Sequence, residues 1–198
     1  MSNTKFSKGV NLSKIKKNIS SSELEYGKVP PQAKDLEEAV LGALMIDNES
    51  LSETIDSLQS EYFYKTEHQK IFEAIINLFN GTQPVDILTV SEELKRMDQI
   101  DFVGGLGYIS ELTNNVASAS NTEYHARIIA EKFIKRSLIS ISNNIIGDAF
   151  NESVDIFDLL NTAEEKLFTV TEGTLRKSYD KMSTLIKGAL TNIETLRN

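Results

Sequence analysis

At 198 residues, 40 % of them apolar, the chain is long enough for one domain of ordinary size, or one domain with an appendage. The absence of cysteine excludes disulfides and thiolate chemistry. No apolar run approaches the ~18 residues of a membrane span, and no signal-peptide core opens the chain, so a soluble, cytoplasmic chain with no membrane contact is expected. The net charge of −8 is unevenly spread. Residues 1–28 hold six lysines against Glu23 and Glu25, a segment of +4, which leaves −12 on the rest. An acidic body is poorly suited to tracking phosphates, which draws on clustered Lys and Arg, so its expected partner is protein. The lysine-rich tail either touches DNA or a partner, or is a solvated, disordered segment.

After the tail, Pro30 and Pro31 fix a helix start just beyond them. Asp35, Glu37 and Glu38 crowd its first turns, and Leu36, Ala39, Val40, Ala43 and Leu44 recur at helical spacing on one face. Gly42 in mid-helix costs ~1 kcal/mol against alanine, which points to a close approach by another backbone. Thr66…Gln69 and Thr89…Glu92 have capping-box spacing. The first opens a helix carrying Ile71, Phe72, Ile75, Ile76 and Phe79, which stops at Asn80-Gly81. The second opens Leu94 and Met97, and residues 82–86 between them form a turn. Gly104, Gly105 and Gly107 break the chain before Tyr108, Ile109 and Leu112. These pieces predict a compact helical bundle over residues 29–115.

Beyond it, Ser120…Glu123 has capping-box spacing again, and the helical pattern then runs to about Phe150. Thirty residues make roughly 45 Å of helix. Residues 151–153 turn the chain, and Ile156, Leu159, Leu160, Ala163, Leu167 and Val170 return it, so residues 116–172 read as a protruding antiparallel hairpin. Ile134, Leu138, Ile141, Ile145 and Ala149 form one apolar arc of the long helix, and Ile128, Ile139 and Ile146 an adjacent one. Together they are wider than one neighbouring helix covers. Either the bundle covers the excess near the base, or the same hairpin of a second subunit does, in an isologous contact. Residues 173–182 read as a flexible linker. In the final segment, 183–198, Leu185, Ile186, Leu190 and Ile193 fall on one side of a detached helix. That face either folds back on its own domain or lies in a groove elsewhere. The chain ends at Asn198 with no further element to receive it, which is the expectation for a truncated protein. The fold class expected is all-α throughout.

No residue pattern points to catalysis. There is no G-x-x-x-x-G-K-[ST] phosphate loop, and the glycine cluster at 104–107 is better suited to starting a helix than to holding phosphate. His68 and His125 are the only histidines and lack the company of a zinc site; packing or capping suffices for His68. Glu37/Glu38 and Glu92/Glu93 are sequence neighbours on helices, pointing about 100° apart, and read as solvated faces rather than acid–base pairs. No catalytic, cofactor-binding or metal residue is assigned.

The segments VPPQAKDLEEAVLGALMID, EYFYKTEHQKIFEAI, PVDILTVSEEL, IDFVGGLGYISEL and NTEYHARII, in that order, resemble the N-terminal domain of replicative DNA helicases of the DnaB type, over roughly residues 29–173. The resemblance implies a hexameric parent whose N-terminal domains form a collar as a trimer of dimers around DNA, and recruit the C-terminal domain of primase. It implies a linker helix on the motor domain of a neighbouring subunit, and a helicase loader as a further partner. It also implies a motor, absent here, that binds ATP and Mg²⁺, in the bacterial cytoplasm at the nucleoid. On this resemblance Asp35 and Tyr108 match positions near the bundle–hairpin junction where primase is met, although a core tyrosine is an equal reading of Tyr108. Ile128, Leu138, Ile141 and Ile145 are chosen for the subunit contact, and Leu185, Ile186, Leu190 and Ile193 for linker docking. Lys34-Asp35-Leu36 departs from the hydrophobic–acidic–small run usual there. The alternative is a helix-turn-helix regulator using residues 66–80 and 89–97, against which the acidic body and the lack of a basic recognition helix both speak.

Overall fold

The computed structural model of the chain describes residues 28–116, 119 and 121–170. The expectations for the tail, the linker and the docking helix with Leu185, Ile186, Leu190 and Ile193 fall outside these residues, as does Ser120. The chain divides into two units, Met1–Pro30 and Pro31–Asn198. All the described helices belong to the second, and no strand occurs among the described residues. The architecture is all-α, as expected.

Helix α1 spans Lys34–Ile46, three residues after Pro31. Helical spacing predicts one apolar face for it; instead residues 40–45 are buried without a break, because α1 is the central helix and packs on four others. Asp47 ends it and caps α2, Asn48–Thr54, by accepting from the backbone N–H groups of Glu49 and Ser50. Two single turns of 3₁₀-helix, Ile55–Ser57 and Ser60–Tyr62, lead to α3, Thr66–Asn80. The capping box expected at Thr66 is not formed. Thr66 is already the first helical residue, Lys65 stands at the cap position, and the Gln69 side chain donates instead to the Phe63 carbonyl at 2.8 Å.

Helix α3 stops at Asn80, as the Asn-Gly pair suggests, yet the left-handed residue of the following turn is Thr82 (φ +53°), not Gly81. Helix α4, Ile87–Arg96, begins two residues before the expected cap, Thr89. Asp86 is its N-cap, and Thr89 closes a reciprocal box by accepting from the Asp86 N–H at 2.9 Å while its own N–H donates back to the Asp86 carboxylate. Helix α5, Gly105–Asn114, is entered through its N-cap Gly104 and first residue Gly105, both at positive φ (+97° and +73°), which is where only glycine is unstrained. Helices α1, α3, α4, α5 and the first turns of α6 enclose a core built on Leu41, Leu44, Ile71, Phe72, Leu94 and Ile109. At Gly42 the approach inferred from the sequence is the α5 C-terminus: an added Cβ would lie 2.6 Å from a Val116 methyl and 2.8 Å from the Leu112 carbonyl carbon.

Helix α6, Thr122–Ala149, is 28 residues long, or about 42 Å at ~1.5 Å per residue. Its start, with Ala126 and Ile129, belongs to the core. Arg136 then fixes it to the body, donating to the carbonyls of Pro31 (2.9 Å) and Tyr62 (2.7 Å). Beyond Arg136 its side chains are exposed or only half-buried. Asn151 and Asp155 shape the turn, and Asp155 caps α7, residues 156–170, by accepting from the Phe157 N–H at 2.8 Å. Val170 at the end of α7 shares a groove with Phe133 and Ile134 near the foot of α6, so α7 runs back antiparallel.

Candidate functional site

Two regions stand apart from ordinary core and surface: a polar cluster inside the bundle and the apolar flank of the hairpin. The cluster begins with Glu37. Position 37 faces inward from α1, and its carboxylate is only 1 % exposed. It accepts the backbone N–H of Tyr64 at 2.7 Å and that of Lys65 at 3.4 Å. These groups approach because Phe63 and Lys65 are extended on the way into α3. His68, fully buried in the first turn of α3, places Nδ1 2.7 Å from the other side of this carboxylate. An acceptor-only carboxylate requires the hydrogen on Nδ1.

The remaining imidazole nitrogen, Nε2, lies 2.7 Å from the Tyr108 hydroxyl of α5, with the two rings nearly parallel at 6.1 Å. Tyr108 is half-buried, and its oxygen also meets Glu38 Oε1 (3.2 Å) and Lys65 Nζ (3.3 Å). Lys65 and Glu38 form an ion pair at 2.9 Å with about a third of each side chain exposed. The chain of contacts therefore runs from a buried carboxylate, through imidazole and phenol, to a surface ion pair. Bonding to Lys65 holds the Glu38 carboxyl below the usual carboxylate range, and the same bond raises Lys65. Burial raises the Tyr108 phenol.

Next to the cluster, Tyr64 carries Lys34 over its ring at 5.3 Å and Arg136 at 5.5 Å. Burial lowers the Arg136 guanidinium, whose hydrogen bonds all go to neutral carbonyls. Among the described residues no group of three or more His, Cys, Asp or Glu is placed to hold a metal, and no helix is long and apolar enough to cross a membrane.

The two expected primase-contact residues part company. Tyr108 belongs to this cluster, whereas Asp35 is exposed in the first turn of α1 and enters none of its bonds. The solvated-face reading of the acidic pairs is corrected twice. Glu37 is the innermost charge of the bundle, and Glu93 is buried against Asn77 and Arg96, leaving Glu38 half-buried and Glu92 on the surface. His68 packs in the core and caps nothing. A signal for Glu37 was present in the sequence: it stands one turn before Val40 and Leu41, on the inward side of α1.

Along the hairpin, Ile128, Ile141 and Ile145 are half-buried and Leu138 is 39 % exposed. The open apolar surface is wider than those four residues. On α6 it includes Ile139 and Ile146, with Phe150 at its C-cap, and on α7 Ile156, Phe157 and Leu160. Phe150 (85 %) and Phe157 (71 %) stand at the tip. Phe157 and Phe168 escaped the sequence pattern because they lie off the helical stripe of Ile156, Leu159, Leu160, Ala163, Leu167 and Val170. At the base, Tyr62, Phe133, Ile134, Ser137, Ile141 and Val170 line a groove of about 590 Å³.

Residues 29–131 match the family model of the DnaB-like helicase N terminal domain. The replicative DNA helicase DnaB of Rhodothermus marinus is 43 % identical over 172 residues, which is 87 % of this chain and 18 % of that protein. The DnaB of Geobacillus stearothermophilus is 36 % identical over 177 residues, 89 % of this chain and 39 % of its own length. The chain thus spans well under half of each of these relatives. Among solved structures, the crystal structure of the N-terminal domain of DnaB helicase from Mycobacterium tuberculosis superimposes with a TM-score of 0.67 at 28 % identity. The match covers 71 % of this chain and 99 % of that one. A DnaB-like replicative helicase, solved in a study of its interactions with primase, matches with a TM-score of 0.59 at 26 % identity, over 76 % of this chain and 35 % of its own. On its sequence and its all-α fold alike, this chain belongs to the DnaB-like helicase N-terminal domain family.

Proposed function

We propose that the chain is the assembly and docking module of a replicative DNA helicase, working in the bacterial cytoplasm at the nucleoid. It builds a collar, pairing through its hairpins into dimers and through dimers into a hexamer that DNA traverses. The face around Tyr108 and Asp35 receives the C-terminal domain of primase, and the segment carrying Leu185, Ile186, Leu190 and Ile193 docks on the motor of a neighbouring subunit. A motor elsewhere in the protein supplies ATP and Mg²⁺ binding and unwinds DNA; a loader places the ring.

The observation that carries the reading is the apolar flank of the hairpin. Leu138, Ile139, Ile146, Phe150 and Phe157 project where the bundle cannot cover them, and exposed apolar surface of this extent marks an interface. A helix-turn-helix regulator is less well supported, because α4 presents Glu92 and Arg96 as ion pairs with its own residues rather than a basic face. Light-scattering mass of the purified chain over a concentration series tests the proposal. Two, three or six times 22.1 kDa is expected, and Leu138→Asp lowers it without lowering the melting temperature. A strict monomer at every concentration would remove the hairpin from the assembly.

A further inference from the structure

The Tyr108 hydroxyl has one hydrogen and faces two acceptors, His68 Nε2 at 2.7 Å and Glu38 Oε1 at 3.2 Å. Its third neighbour, the Lys65 ammonium at 3.3 Å, can only donate to it. The hydrogen therefore goes inward or outward, and His68 decides which. Nδ1 is committed to Glu37 whatever the charge of the ring, so only Nε2 gains or loses a proton. With a neutral ring Nε2 accepts, the Tyr108 O–H points inward, and Glu38 keeps Lys65 alone. With an imidazolium Nε2–H donates to the Tyr108 oxygen, and the hydroxyl hydrogen must turn to Glu38.

We infer that His68 is a proton-controlled switch, which passes the Tyr108 hydroxyl hydrogen between the buried interior and the surface Glu38–Lys65 pair. The proton balance is simple: one proton enters from solvent at Nε2, and one hydroxyl rotates. The groups facing the ring are Glu37 and Glu38 from α1, Lys65 from the approach to α3, and Tyr108 from α5. Arg136 of α6 acts electrostatically on Glu37 from further away. Two carboxylates against one ammonium leave room for a buried positive ring, and neither state orphans a hydrogen-bonding atom. Both arrangements therefore keep the polar network complete. In the neutral state Glu38 has lost one donor, so it is the better acceptor for a partner's N–H or O–H. The inference concerns the chain's own groups and stands whether or not primase is what binds there.

The test is NMR on the full chain, with ¹⁵N-labelled histidine and tyrosine labelled with ¹³C at Cζ, across the range where imidazoles ordinarily titrate, about pH 5 to 8. His68 and His125 are the only histidines, so His125→Gln leaves His68 as the sole imidazole. Tyr108→Phe identifies the Tyr108 resonance. The expected result is a neutral ring protonated on Nδ1, which gains a second proton on acidification, with the Tyr108 Cζ resonance moving at the same midpoint. Glu38→Ala should shrink the tyrosine step while leaving the imidazole step in place. Three results would overturn the switch: a hydrogen on Nε2 in the neutral ring, one unchanging His68 state across the range, or a His68 titration that Tyr108 does not follow.

Discussion

Glu37 and Glu38 are adjacent in the chain, yet one is 1 % exposed and the other sits at the surface. A helix turns about 100° per residue, so neighbours of identical chemistry can meet entirely different surroundings. Glu37→Ala would leave the Tyr64 and Lys65 amides and the His68 Nδ1–H without their acceptor, and at about 1–3 kcal/mol for each buried group left unsatisfied it should lower stability in urea by at least that much. A loss within about 0.5 kcal/mol, usual for a surface position, would contradict the network. Glu38 acts through pH. Its folded carboxyl is held low, chiefly by Lys65, so its contribution is fully present above the ordinary carboxylate value, about 4, and is lost as pH falls through the folded value. Glu38→Gln should therefore flatten the acid side of a plot of melting temperature against pH while leaving its shape near neutrality. An unchanged acid limb would separate Glu38 from acid stability.

At the scale of the element, helices were legible and their starts were not. The expected capping residues Thr66 and Thr89 both lie in first turns, but neither is the N-cap, since Lys65 and Asp86 stand there. Capping boxes are short patterns, and several registers fit the same hydroxyl and carboxyl. The choice falls to the neighbours that hold the preceding residues, here Glu37 on the amides of Tyr64 and Lys65. Asp86→Ala should cost about 1 kcal/mol by removing two bonds to first-turn amides. Thr66→Ala, by the same measurement in urea, should cost much less. Equal losses would restore the Thr66 cap. Gly42 is the converse case: a mid-helix glycine announced a close contact, and only the fold identified the α5 terminus as its partner.

For the whole molecule, the segment proposed above to dock on a neighbouring motor supplies the sharpest prediction. Leu190→Asp should leave the melting of this chain unchanged, yet abolish hexamers when placed in the longer helicase; wild-type hexamers there would sink the docking role. The sequence by itself determined the all-α class and the family, because helical periodicity, proline and glycine punctuation and segment order are local properties of the chain. Tertiary structure alone decided that residues 40–45 of α1 are buried without a break, that Glu37, His68 and Tyr108 meet, and that Phe150 and Phe157 crown an uncovered apolar flank. These depend on residues 31 to 40 positions apart, or on which side of a helix finds a neighbour. No window of sequence contains that information, since packing sets it only after every element has formed.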